Sequence, residues 1–242
     1  MKSIDFPASL EEIGHDAFSG CSSLEKVVLP SNLKTIDYAA FKNCSALNHV
    51  ELPATIEKIS IELFFGCSSL QEITLPSSVT FIQNSAFEES GLVSITIPES
   101  VVRVGSRIFA NCKSLISVVF SGDNTPIENE MFLGATALQS IQIPKNVTQI
   151  PFRFCQGATA LKTITFNEGL EVIKDDAFLG CTSIESVTFP TTLKSLWARA
   201  FKGCTSLQSV DFSGANMSEQ ASKRGVEWFA DCTALSVIKN HD

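Results

Sequence analysis

Phenylalanine recurs along this chain at a nearly fixed step of 23 residues. Phe18, Phe41, Phe64 and Phe87 stand 23 apart, Phe109 follows after 22 and Phe132 after 23. The next slot holds Cys155, with Phe152 and Phe154 just ahead of it. Phe178 and Phe201 resume the step, and Phe229 follows after 28. A unit this short cannot bury its own apolar face, so consecutive units must stack into one continuous core. The 242 residues therefore read as one domain, 1–242, of about ten units. The fourth unit is one residue short, the seventh lacks Phe in its slot, and the tenth carries an insertion at 213–225.

Other columns move with the Phe. Three residues after it stand Cys21, Cys44, Cys67, Ser90, Cys112, Ala135, Ala158, Cys181, Cys204 and Cys232. An apolar triplet follows, as in Leu24/Val27/Leu29 and Leu47/Val50/Leu52, often closed by Pro (Pro30, Pro53, Pro76). Alternation in the triplet predicts a short strand with Val27 and Leu29 inward and Lys26 and Val28 outward. Proline after the strand lacks a donor and turns the chain. A second apolar pair comes next, as in Leu10/Ile13 and Leu33/Ile36, and a helical turn is expected between it and the Phe. The residue before the Cys column is Gly, Asn or Asp in nine of ten units, which predicts a left-handed backbone there. Glu89 is the exception, and Gly91 is expected to supply its bend. The Phe column is expected to stack as a spine; tyrosine would need a hydroxyl partner at every rung.

These columns resemble the BspA-like, Treponema-type branch of the leucine-rich repeat family over essentially the whole chain. The resemblance implies a leucine-rich repeat solenoid: mainly β with short helical or irregular turns, a curved right-handed arc with one parallel sheet of about ten short strands. It also implies a cell-surface or secreted protein. The opening Met1–Pro7 has no apolar signal-peptide stretch, and reduced thiols fit the cytoplasm equally well.

Composition narrows function. The net charge is −8 with no basic cluster, which argues against nucleic acid as a partner. No apolar run nears the ~18 residues of a membrane span, so no membrane insertion is expected. Seven of the eight Cys share one column, and Ala135 and Ala158 fill that column too, so buried reduced thiols are expected over disulfides. Without C-x-x-C pairs, and with three scattered His, neither a metal nor another cofactor is expected. No nucleophile motif accompanies a matched base, and His49 beside Glu51 is an exposed pair, so no catalytic residues are assigned.

The outward strand positions form the candidate ligand-binding face: His49, Glu51, Glu72, Thr74, Ser94, Thr96, Ser117, Ser140, Gln142, Thr163, Thr165, Ser186, Thr188, Ser209 and Asp211. They read either as hydroxyl ladders that keep a sheet soluble, or as an extended surface for a protein or glycan ligand of modest affinity per site. Trp197 falls in the variable turn opposite the strands and reads equally as a partner anchor or as cover for a neighbouring rung. The insertion offers Met217, Lys223 and Arg224 as a candidate binding loop. Neither end has a polar cap, which predicts a fragment of a longer array or end-to-end self-association. The function these features suggest is a non-catalytic adhesion or binding module; the alternative is a structural spacer or self-associating scaffold that displays other domains.

Overall fold

The computed structural model describes residues 2–215, 217 and 227–239. Among the described residues there are eighteen short strands, all paired in parallel, and no helix. One series runs along the strand face: β1 (Ser3–Asp5), β3 (Lys26–Val28), β5 (His49–Glu51), β8 (Ser94–Ile97), β10 (Ser117–Phe120), β11 (Ser140–Gln142), β13 (Thr163–Thr165), β15 (Ser186–Thr188), β17 (Ser209–Asp211) and β18 (Val237–Lys239). A second series has two residues per strand, formed on the second apolar pair: β2 (Glu12–Ile13), β4 (Thr35–Ile36), β6 (Lys58–Ile59), β7 (Phe81–Ile82), β9 (Arg103–Val104), β12 (Gln149–Ile150), β14 (Val172–Ile173) and β16 (Ser195–Leu196). Register follows the repeat: Lys26 faces His49, and Val27 faces Val50. Val27 and Val50 are buried, and Lys26, Val28 and Glu51 are exposed, as pleat alternation requires.

The strand-face ladder is segmented rather than unbroken. Its hydrogen-bonded groups are β1-β3-β5, β8-β10, β11-β13 and β15-β17-β18. Residues 72–74, in the strand slot of the third unit, make no backbone bond to either neighbour. This break adjoins the one-residue deletion. There the shortened turn draws Gly91 so close to the preceding rung that a Cβ would lie 2.1 Å from the Ser68 carbonyl oxygen. Only glycine fits that approach.

The stretch before and through the Phe is not a helical turn. Alternate residues donate backbone bonds forward to the next rung: Asp16 to Tyr38 (3.1 Å), Phe18 to Ala40 (2.8 Å) and Gly20 to Lys42 (2.7 Å). The residues between them close four-residue turns instead, as Ser19 does on Asp16 (3.0 Å). That alternation needs two left-handed positions per unit. One is the expected Gly/Asn/Asp column, and Glu89 adopts it as well (φ 59°), so Gly91 does not take over its bend. The other lies two residues before the Phe slot, at Asp16, Ala39, Glu62, Ser85, Arg107, Glu130, Arg153, Asp176, Arg199 and Glu227. From Arg107 onward this second column alternates in charge. Arg199 grips the buried Asp176 with two bonds of 2.7 and 2.8 Å, and Arg107 bridges Glu88 and Glu130.

The core is a set of columns. Phe18, Phe41, Phe64, Phe87, Phe109 and Phe132 stack with ring centroids 5.4–5.9 Å apart and nearly parallel planes. In the seventh unit Phe154 takes over from the preceding position, meeting Phe132 and Phe178 edge-on at 5.3 and 6.4 Å. Cys155 occupies the ring's usual slot beside it, and both are buried. All eight cysteines are free, and all but Cys21 are buried. In the Cys column every thiol after Cys21 points at a carbonyl one rung back, as Cys44 does to Phe18 (3.1 Å), Cys67 to Phe41 (3.1 Å), Cys112 to Phe87 (2.9 Å) and Cys181 to Cys155 (3.1 Å).

Candidate ligand-binding face

The strand face presents its outward side chains to solvent. Glu51, Glu72, Thr74, Ser94, Thr96, Ser140, Gln142, Thr163, Thr165, Ser186 and Thr188 are exposed, and His49, Ser117, Ser209 and Asp211 are half-buried. Six of them come together. His49, Glu51, Glu72, Thr74, Ser94 and Thr96 line a groove of about 730 Å³ that lies over the unpaired 72–74 segment. His49 Nε2 lies 2.8 Å from Glu51 Oε1, so Glu72 is the unpaired carboxylate of the groove. The groove thus offers carboxylate, hydroxyl and free backbone groups, all suited to hydroxyls, amides or cations and poorly suited to anions. The remaining positions continue as an open hydroxyl face. At its far end Asp211 accepts from the Ser213 amide (2.9 Å) and hydroxyl. Those bonds, with Lys239 at 3.5 Å, hold its carboxyl below the usual range.

The other sequence candidates lie apart from this face. Trp197 is half-buried and donates its backbone N–H to Ile173 (2.9 Å). Met217 packs against the core. Lys223 and Arg224 lie outside the described residues.

A second groove, of about 490 Å³, was missed by sequence reasoning. It lies on the second strand series and is lined by Lys34, Thr35, Thr55, Glu57, Lys58, Thr80, Phe81 and Arg103 among others. Its signal was the outward neighbour of the second apolar pair, a column reading Thr35, Lys58, Phe81, Arg103 in successive units.

The thiols lack the environment of a nucleophile. Burial pushes Cys44 up to about 11 and Cys112 and Cys181 up to about 12, away from the range of an activated thiolate. Among the described residues no group of three or more His, Cys, Asp or Glu could hold a metal ion.

Stacked short parallel strands, a phenylalanine spine and an apolar triplet per rung define a β-solenoid of leucine-rich repeats. The chain belongs to the BspA-type leucine-rich repeat family: the model for the BspA type leucine rich repeat region matches residues 1–116, 39–157 and 148–241. Among solved structures it is similar to a leucine-rich repeat protein from Bacteroides ovatus, at 30% identity and TM-score 0.82, over 96% of this chain and 59% of that one. It is also similar to a leucine rich cell surface protein from Faecalibacterium prausnitzii, at 25% identity and TM-score 0.53, over 99% of this chain and 79% of that one. A leucine-rich repeat protein from Eubacterium ventriosum, at 19% identity and TM-score 0.58 over 99% and 72% of the two chains, shares the fold. This chain thus spans 59% of the length of the Bacteroides ovatus protein. No curated protein sequence matches it. No helix among the described residues is long and apolar enough to cross a membrane.

Proposed function

We propose that this chain is a non-catalytic recognition module acting at a cell surface, and that it engages a protein or glycan through the strand face. The carrying observation is the groove over residues 72–74. Backbone groups left unpaired by the ladder break sit there among His49, Glu51, Glu72, Thr74, Ser94 and Thr96. An unpaired backbone edge is a ready donor and acceptor array for a ligand. The raised thiols and the lack of a matched nucleophile and base favour binding over chemistry. The cell-surface relative supports the location.

The test is an array of neutral glycans and extracellular-matrix proteins probed with the wild type and with a Glu72→Lys/Thr96→Arg variant. Both positions are exposed, so the melting temperature should hold. At least one partner should bind the wild type and lose about tenfold or more in affinity to the variant, the equivalent of one charge-assisted contact. An array with no binder, or binders indifferent to the variant, would refute this reading.

A further inference from the structure

The second groove carries the opposite charge logic. Lys58, Phe81 and Arg103 stand in one outward column on three successive rungs, in register Lys58–Phe81 and Phe81–Arg103. Lys58 and Arg103 are exposed, and neither has an ion-pair partner among the described residues. Most cations here are neutralised by a carboxylate from a neighbouring unit, as Lys34 is by Glu11 at 2.8 Å and Lys194 by Glu171 at 2.6 Å. Arg103 is held instead by an aromatic ring, its guanidinium carbon 4.5 Å from the Phe81 centroid. The ring fixes the side chain without consuming its N–H donors, which stay oriented and available. The groove contains one carboxylate, Glu57, against the unpaired cations Lys58 and Arg103; its third cation, Lys34, is the one paired with Glu11. On a chain of net charge −8 this is a local positive site.

The walls describe the ligand further. Thr35, Thr55 and Thr80 line the same groove. Thr55 donates to the Leu33 carbonyl and Thr80 to the Glu57 carbonyl at 3.4 Å, so both hydroxyls keep lone pairs for incoming donors. No strand pairing joins β4 to β6 beneath it. Lys58 and Arg103, two rungs apart, are separated by roughly 10 Å at the spacing of stacked strands. We propose that this groove binds an acidic glycan, its sulfate or carboxylate groups on Lys58 and Arg103 and its hydroxyls on the threonines. Threonine acceptors in one groove with the ring-held Arg103 and the unpaired Lys58 suit a ligand that alternates hydroxyl and anionic groups better than an acidic peptide, whose carboxylate side chains bring no hydroxyls to the threonines. The site is separate from the strand face and does not depend on the function proposed for that face.

The test is titration of the full chain with a heparin octasaccharide, a size-matched neutral dextran oligosaccharide and an octaglutamate peptide. Heparin should bind saturably and weaken as salt rises, while dextran does not bind. Lys58→Ala/Arg103→Ala should weaken heparin binding about tenfold or more. Lys113→Ala/Lys162→Ala, which removes two other exposed cations without ion pairs, should change it less than about twofold. Phe81→Leu should weaken heparin as well, because the guanidinium loses its platform. Strand-face Glu72→Lys should leave heparin affinity intact, which separates the two surfaces. The proposal is overturned by any of three results: no heparin binding, equal loss in the two double variants, or octaglutamate binding as tightly as heparin.

Discussion

At the residue scale, the Cys column is more than a small apolar slot. Ala135 and Ala158 show that a methyl group fits, but a thiol adds a weak donor aimed at a carbonyl one rung back. Cys112 is fully buried, its Sγ 2.9 Å from the Phe87 oxygen. Replacing it with Ala should therefore cost only about 1 kcal/mol in urea unfolding. The same thiol makes stability depend on pH. Burial raises Cys112 in the folded chain to about 12 from an ordinary 9.0, so the unfolded chain ionises first. Its contribution is complete below pH 9 and drains away between pH 9 and 12. The urea midpoint should fall across that window, and it should fall less steeply in Cys112→Ala. An equal fall in both chains would show that this thiol is not what titrates. The charged left-handed column is a second residue-scale feature. A non-glycine residue there costs about 1–2 kcal/mol of backbone strain, offset where it lets an N–H reach the next rung and brings a charge beside its opposite.

At the scale of the element, each rung must fill a fixed volume, and the chain can meet that requirement from neighbouring positions. In most units a small or medium residue precedes a Phe, whereas the seventh unit has Phe154 followed by Cys155. The ring still lands in the spine, rotated edge-on against both neighbours. Phe154→Ala should cost about 3–5 kcal/mol in chemical unfolding, as a deep cavity does. The double change Phe154→Ala/Cys155→Phe restores the usual order and should return to within about 1.5 kcal/mol of the wild type. A double variant no more stable than Phe154→Ala alone would mean the ring positions are not interchangeable.

At the scale of the whole molecule, rungs contact chiefly their sequence neighbours, so stability is a chain of local couplings. Removing one spine ring in the middle should be felt unevenly. Phe109→Ala should lower amide hydrogen-exchange protection most in the rungs of Phe87 and Phe132 and progressively less with distance; a uniform loss would point to one global unfolding unit instead. The two grooves belong to this scale too, since each is assembled from side chains in several units. The step of 23, the Phe spine, the inward triplets and the outward strand positions were legible in the sequence because each is a column: its environment repeats, so its chemistry repeats. Phe154 could be seen beside the vacant slot, but not its turning into the spine. The charge-alternating column at 107–227 and the Lys58–Phe81–Arg103 groove were not legible, because the residue type in those columns changes from unit to unit although the position repeats. The sequence alone determined that the units stack and which face of each strand is buried, because period and alternation act within a unit. Only the tertiary structure decided where the ladders break, which cations stay unpaired and where Cys155 yields to Phe154. Those outcomes depend on how one rung meets the next across 22 or 23 residues, a distance no local pattern records.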